Sequence, residues 1–450
     1  MIIDDELFRS EFSNINASTQ NPVNFTYTAE FIDSKNNIIP VHNVLRITYA
    51  SNFIQNFSDD IRIVLDMYKS NYFKLLKVNR RMLTLRLTKT ECSMTGEHIS
   101  FGSSTSKIYD AALTDNTSET IETRIGALTG TSIDDLGELK EVKVQLIERG
   151  YSEFRLIDCM PNVYKNCNIT TLMQAFMSTP IKTLDPNLKT GYGCTVYPVD
   201  NEELFYQRII PCGIKLYKFP RHMQDTRGVY GNGLGSYLTN GMWYIFPLYN
   251  VERYLRDTSN KLTIINVPQN EMIGNNNSYF MDKSKKELYI FATGKTKHID
   301  SSDRYLNKVG TGFRSVNSSN LLDTFVQKKK GVLTVPKGQN LMSVTFDDRD
   351  TDLENINTTR PITGNRFKEA SRVTKAFTNT VVLNWEFSNL DLLYPNMPLK
   401  LIYKVNGVPN LLYGVLNGIQ TTIETSQQSI TDNRYRSTSQ LILTTQRATR

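Results

Sequence analysis

The sequence is short of the residues on which most enzyme chemistry rests. Only four histidines occur, His42, His98, His222 and His298, and none stands in an HExxH or HxH arrangement. The cysteines are Cys92, Cys159, Cys167, Cys194 and Cys212, an odd number with no CxxC pair. That spacing excludes a complete disulfide framework, a zinc ribbon and a zinc finger. It leaves free thiols, as in a chain made in a reducing cytosol. No apolar run approaches the ~20 residues of a membrane-spanning helix. Met1 is followed by Ile2–Ile3–Asp4–Asp5–Glu6, without the basic and apolar regions of a secretory signal, so none is expected. Net charge is +7, from 52 basic and 45 acidic residues. An excess this small describes a solvated surface rather than a nucleic-acid binder, and the one dense basic run, Lys328–Lys330, reads as an exposed loop.

Strands and polar turns are abundant. Aromatic residues make up 10% of the chain, with many Thr, Ser and Asn, a mix that favours strands. A length of 450 residues is enough for two to four domains, each with its own core. Residues 1–20 are polar and read as an N-terminal arm. Apolar alternation then marks strands at Phe25–Phe31, Val44–Tyr49, Ile61–Met67, Tyr72–Val78 and Met82–Thr88, the rhythm of a sandwich or barrel. From Glu91 to Glu138 the pattern yields to Ser, Thr, Gly and acidic residues, a long polar excursion. A closing strand follows at Val142–Leu146. The segment 21–150 is thus expected to be one β-barrel with the excursion 91–138 inside it.

Residues 151–330 have a different, α+β texture. Thr170 or Thr171 is placed to cap a helix through Leu172, Met173, Phe176 and Met177, ended by Pro180. Asp200 is placed to cap a second through Leu204, Phe205 and Ile209, ended by Pro211. Strands are expected at Trp243–Phe246, Leu262–Val267 and Leu288–Phe291. Residues 331–370 read as linker and loops, with short strands at Val332–Val335 and Met342–Phe346. In 371–450 strand signals return. Val381, Leu383 and Trp385 alternate with polar neighbours. Leu399, Leu401, Tyr403 and Val405 share one face, and a turn at Gly407–Asn410 follows. Leu411, Tyr413, Val415, Ile419 and Ile423 mark a long strand broken by Gly414 and Gly418, the signature of a bulge or bend. After a polar loop from Glu424 to Arg436, Leu441 and Leu443 mark the last strand.

This C-terminal order carries a resemblance. Pro395–Asn396–Met397–Pro398, a strand, a glycine turn, a strand, a polar loop with Asn433–Arg434–Tyr435, and a strand together resemble the last barrel of baseplate hub proteins from contractile-tailed bacteriophages. Ile47–Ala50 followed by Phe57–Ile63 looks like the opening strands of the barrels in that family. The resemblance implies a mainly β chain, with two tail-tube-like β-barrels joined by an inserted α+β domain. It implies a structural virion protein, not an enzyme, forming the central ring that joins the tail tube to the central spike. Its expected location is the tail baseplate, after synthesis in the host cytoplasm. Implied partners are two further copies in a homotrimer, the central spike protein, the tail tube protein and other baseplate proteins. No membrane partner is implied, and DNA meets the chain only by passing through the channel. The residues expected at subunit contacts are Pro395, Asn396, Met397, Pro398, Gly414, Gly418, Asn433, Arg434 and Tyr435, with the excursion 91–138 as a second candidate. Other readings are a tail or neck ring protein with one barrel per chain, and a tail-associated peptidoglycan hydrolase.

No active site is expected from the residues themselves. Gly231–Gly235 lacks the Lys-Ser/Thr of a phosphate loop and reads as a turn. His298 with Asp300 and Asp303, and the acidic run Asp347–Asp352, have the composition of solvated loops rather than of a metal site or a paired-carboxylate centre. Trp243, Tyr244, Phe246 and Tyr249 lie at strand spacing, where core packing is the default. No catalytic residue, cofactor or metal is therefore assigned.

Overall fold

A computed structural model describes residues 24–33, 35–77, 83–95, 98–114, 137–184, 193–267, 279–293, 299–300, 327–329, 332–334, 343–345, 367, 371, 374–375, 378–405, 408–425 and 435–446. The fold is mainly β. The first strands are β1 (Asn24–Ile32), β2 (Ile38–Pro40), β3 (Asn43–Asn52), β4 (Asp60–Tyr68), β5 (Thr84–Thr95), β6 (His98–Leu113) and β7 (Leu139–Glu148). In the middle segment come β8 (Asn162–Cys167), β9 (Gly193–Val196), β10 (Phe205–Ile210), β11 (Leu234–Thr239) and β12 (Met242–Pro247). Next are β13 (Lys261–Asn266), β14 (Tyr279–Asp282), β15 (Glu287–Ala292) and β16 (Ile299–Asp300), and a small separate sheet of β17 (Gln327–Lys329), β18 (Val332–Thr334) and β19 (Ser343–Thr345). The chain finishes with β20 (Thr378–Glu386), β21 (Pro398–Val405), β22 (Val408–Thr425) and β23 (Tyr435–Gln446).

One sheet links both ends of the chain, and it closes on itself twice. In the first closure β22 pairs with β3, and the order continues β4, β7, β6, β5, β1 to β23, which pairs back with β22. In the second, β22 pairs with β21, then β13 and β15 follow; β15 reaches β20 through a Thr293–Asn384 bridge, and β20 pairs with β23. The two barrels therefore share the hairpin β22–β23. Alternating residues fill each barrel. Ile61, Ile63, Leu65 and Met67 point into the first, together with Leu85, Val142, Val144 and the hairpin residues Ile423 and Tyr435. Leu399, Leu401, Leu383, Trp385 and the hairpin residues Leu416, Ile419, Leu441 and Leu443 fill the second. β13 and β15 run parallel and are buried along nearly their whole length, which is why Leu262–Ile265 and Leu288–Ala292 read as continuous apolar runs.

The middle segment has its own core, in which Trp243, Phe154, Phe176, Phe219, Tyr230 and Ile245 pack together. It is tied to the first barrel where Leu238 N donates to Phe57 O at 2.8 Å. β13 and β15, which lie within the segment read as the middle domain, belong by hydrogen bonding to the same barrel as β21.

Several local expectations are corrected. Residues 72–77, expected as a strand, lie in a helix, Lys69–Lys77. Tyr72 and Leu75 are both buried, a three-residue spacing that puts them on one helical face, and Asn71 Nδ2 donates to Pro40 O at 3.2 Å. The excursion from Glu91 begins as strand, because β5 and β6 pair from Thr84–Asp110 out to Thr95–His98. Its polar composition hid the alternation. Hydroxyl pairs bridge the strands there instead of apolar ones, Thr88 with Ser106 at 2.8 Å and Thr90 with Ser104 at 3.0 Å. Residues 205–210 form β10 rather than a helix, and the Asp200 carboxylate accepts from Gly231 N at 2.7 Å instead of capping. The cap of the helix Ile169–Leu184 is Asn168, whose Oδ1 accepts from Thr171 N at 2.8 Å, and the helix runs past Pro180. Val408–Asn410, expected within a turn, already lie in β22, with Val408 opposite Val405.

The shared hairpin leaves no room at Gly414. A Cβ there would meet Thr444 O at 2.3 Å on the neighbouring strand, a backbone atom that cannot swing away. Gly414→Ala is expected to destabilise the fold by about 1–3 kcal/mol, in the range for overpacking a core. A thermal melt followed by circular dichroism checks this, and a melt unchanged from the parent contradicts the close approach.

Candidate functional site

The site that sets this chain apart is the junction where the hairpin passes between the barrels. β22 pairs with β21 over Val408–Val415 and with β3 over Gly418–Glu424. Its register against β23 shifts between Leu416 and Gly418. A bulge inserts one unpaired residue and bends the strand, and here that residue is Asn417, which is 1% exposed. Its backbone carbonyl accepts from Phe53 N at 3.1 Å. Its side-chain amide donates to Leu248 O at 3.1 Å and to Thr444 Oγ1 at 2.7 Å, and its Oδ1 accepts from Asn396 Nδ2 at 3.0 Å.

Asn396 extends this network. It adopts a positive φ of 58° and is fully buried. Asparagine tolerates that left-handed conformation better than most residues. Arg253 Nη1 donates to Asn396 O at 3.0 Å and also contacts Asn396 Oδ1. The guanidinium is 4% exposed and pairs with Asp257 Oδ2 through Nε and Nη2, at 2.8 and 2.7 Å. It lies 4.1 Å from the centre of the Tyr197 ring. A buried cation is tolerable only when its charge is matched, and Asp257 matches it, while Nη2 makes no directed hydrogen bond beyond that ion pair.

Beside this network lies a cavity of about 490 Å³ with both apolar and charged walls. Its walls come from β3, β5, β6, the end of β7, the β11–β12 turn and residues 388–395. Asp59 accepts from Tyr237 Oη at 2.8 Å and Thr239 Oγ1 at 3.2 Å, and also from Ser51 Oγ. Lys89 Nζ donates to Asp391 Oδ2 at 2.7 Å and to Asn389 Oδ1 at 3.0 Å, and sits 3.7 Å from the centre of the Phe25 ring. Lys107 reaches Asp391 at 3.4 Å and Asn240 at 2.7 Å. Burial pulls the Lys89 ammonium below its usual pKa, opposed by Asp391. For Asp391 burial acts upward, but Lys89 and Lys107 outweigh it and hold the carboxyl below the ordinary range. The cavity thus cross-links the first barrel (β5, β6), the β11–β12 turn and the segment leading into β21 with charged groups.

The residues expected at subunit contacts take different places. Pro395, Asn396, Met397 and Pro398 are buried within the chain, as are Gly414 and Gly418. They line the junction of the two barrels, where apolar surface and the Asn396 amide have partners already. Tyr435 is also buried. Its hydroxyl donates to Val44 O at 2.7 Å, and its ring meets Tyr27 edge to face at 5.2 Å. Asn433 and Arg434 lie outside the described residues, as do His298, Asp303 and Asp347–Asp352. Asp300 is in the short strand β16. The Gly231–Gly235 stretch is a turn into β11, and Trp243, Phe246 and Tyr249 are core residues, Tyr244 being half-buried. Asn417, Arg253, Asp59 and Glu148 escaped sequence reasoning. The flanking glycines at 414 and 418, and the Arg253–Asp257 spacing of one helical turn, were the signals available.

No family model matches the chain, and no curated protein matches it. Several solved structures overlap it, among them these two. One is a Francisella PdpA–VgrG complex, at 10% identity and a TM-score of 0.37, covering 97% of this chain. This chain spans 60% of that one. The other is the 43 kDa tail protein of prophage MuSo2 from Shewanella oneidensis, at 10% identity and a TM-score of 0.42, covering 93% of this chain and 96% of that one. Neither overlap is close enough to fix a function.

Glu148 gives the junction a pH dependence. Burial pushes its carboxyl up to about 7; the Gly241 amide, which donates at 2.6 Å, and Lys107 act downward, and Asp59 acts upward. In the unfolded chain a glutamate titrates near 4.3. The folded state therefore binds this proton more tightly. The resulting stabilisation is fully present below about pH 4.3 and is lost as pH rises through about 7, amounting to about 4 kcal/mol at most. Glu148→Gln is expected to be more stable than the parent at pH 8 and to lose that advantage by pH 4. Urea unfolding at both values checks it, and a difference that does not vary with pH contradicts the assignment.

Proposed function

We propose that this chain is a structural protein of a contractile phage tail, forming the central baseplate hub ring between the tail tube and the central spike. The observation that carries the reading is the pair of closed β-barrels in one chain, sharing one hairpin. The C-terminal pattern that resembles hub proteins, Pro395–Pro398 with its following strands, falls at the junction of those barrels. Three copies, each contributing two barrels, place six barrels around a channel, so that a three-fold spike meets a six-fold tube. Closed ring symmetry then fixes each barrel's neighbours. Such a role is geometric. It requires no cofactor, and DNA enters only as a passenger through the bore.

Burial of Pro395–Pro398, Gly414 and Gly418 inside the protomer moves the expected contacts elsewhere. The β5–β6 hairpin is the stronger candidate, since Gly102–Ser106 are exposed and long polar strand pairs suit the wet, hydrogen-bonded rim of an interface.

Light scattering behind a sizing column is the direct test. The purified chain, alone or co-expressed with a tail spike protein, is expected at three times the monomer mass. End-on views in negative stain are expected to show six inner densities. A six-copy ring, or a monomer in both preparations, overturns the reading. Because these readouts are mass and symmetry, failure of the stability predictions above leaves them untouched.

A further inference from the structure

The cavity beside the junction holds more hydrogen-bonding capacity than its own walls use. At about 490 Å³ it lies in the size range of small-molecule sites. Thr105, Ser106 and Asn240 at its rim are exposed, so it is open to entry. Phe53, Leu393 and Ile419 line it from the buried core and give it an apolar wall.

Its charges cancel internally. Lys89, Lys107 and Arg149 stand against Asp59, Glu148 and Asp391, three of each sign. Asp391 takes both lysines, Asp59 takes the hydroxyls of Ser51, Tyr237 and Thr239, and Glu148 takes the Gly241 amide. An ionic ligand would upset a balance already made.

Three phenols are different. Tyr27 and Tyr109 are 8% and 7% exposed, and Tyr49 is half-buried. Among the described residues no group hydrogen-bonds to any of their three hydroxyls. None of the three oxygens is closed off in the packing either, so they open on the cavity. Burial pushes all three pKa values up, and the Asp391 carboxylate adds to the rise at each. The hydroxyls therefore stay neutral and lie within reach of the same carboxylate. A phenol O–H both donates and accepts. An apolar ligand would leave these groups unpaired in a site withdrawn from water, which is costly. A ligand rich in hydroxyls pairs with them in either direction, and its C–H faces suit Phe53 and Leu393.

We infer that this cavity is a binding site for a small neutral sugar, a mono- or disaccharide, held by the hydroxyls of Tyr27, Tyr49 and Tyr109 against the apolar wall of Phe53 and Leu393. Nothing in the barrel architecture requires three unpaired phenols there, since phenylalanine would fill the same space.

Saturation-transfer NMR on the full chain tests it, with glucose, N-acetylglucosamine and maltose as probes and glutamate and lysine as charged controls. At least one sugar is expected to bind with a dissociation constant in the millimolar range, and more tightly than either control. Tyr49→Phe and Tyr109→Phe each delete one hydroxyl and keep the ring. Each is expected to weaken binding about two- to tenfold, the net worth of one hydrogen bond. Thr105→Trp, at the exposed rim, is expected to abolish binding without touching the core, so the test survives a phenylalanine variant that fails to fold. No signal from any sugar means that the cavity holds only water and overturns the inference. Sugar binding unchanged in all three variants, or a charged control that binds more tightly, overturns it too.

Discussion

The shared hairpin is the constraint on which the rest of the fold depends. β22 has 18 residues, roughly 60 Å of strand at ~3.3 Å per residue. No single small barrel uses that length. One half hydrogen-bonds to β21 and the other half to β3, so its outer edge changes owner midway. β23 does the same, meeting β1 at Tyr435 and β20 from Thr438 onward. A closed barrel has no edge strands to protect. By sharing two strands this chain closes two barrels with one hairpin and leaves both without open edges at the junction. The cost is topological. The first barrel is complete only when residues from the far end of the chain arrive, which is a pairing of high sequence separation and slow formation.

The handover needs a bend, and the bend exposes backbone that must be satisfied. Asn417 supplies both, through a bulge and a side chain that bonds in three directions. Apolar residues of equal size would leave Leu248 O and Thr444 Oγ1 with fewer partners in a dry site, a penalty of about 1–3 kcal/mol each. Asn396 and Arg253 continue the same logic outward. A buried polar network of this kind contributes less to net stability than to uniqueness, because only one register satisfies all of its members. A slip by one residue in β22 would move Asn417 onto another face and bury it without partners.

Much of this was legible in the sequence, for reasons tied to individual residues. Period-2 alternation at Ile61–Met67, Leu399–Val405 and Val381–Trp385 gave the strands, and Gly414 with Gly418 gave the interruption. The failures have physical causes too. β6 and the outer half of β5 hid behind hydroxyl ladders, because Thr–Ser pairs satisfy a strand without apolar alternation. Tyr72 and Leu75 were read at the wrong period, since a short apolar run fits helix and strand alike. Pro395–Pro398 are buried at the junction, and an internal and an intersubunit role leave the same trace in a sequence. Strand sharing was invisible, because pairing between residues 46–52 and 418–424 has no local signal at all.

Sharing also has a mechanical consequence. Two barrels joined by a linker can rotate about it, whereas two barrels with common strands can change their mutual angle only by breaking ladder hydrogen bonds in β22 or β23. The Lys89–Asp391–Lys107 cluster reinforces this, since it ties β5 and β6 of the first barrel to the segment leading into β21 of the second. The mutual angle of the two barrels is then set within the chain, by the bulge at Asn417. In the ring assembly proposed above, an angular error would be repeated at every copy, so a stiff internal junction would favour closure over open-ended growth. The stiffness of the junction and the chemistry of one buried asparagine thus meet at the same residue.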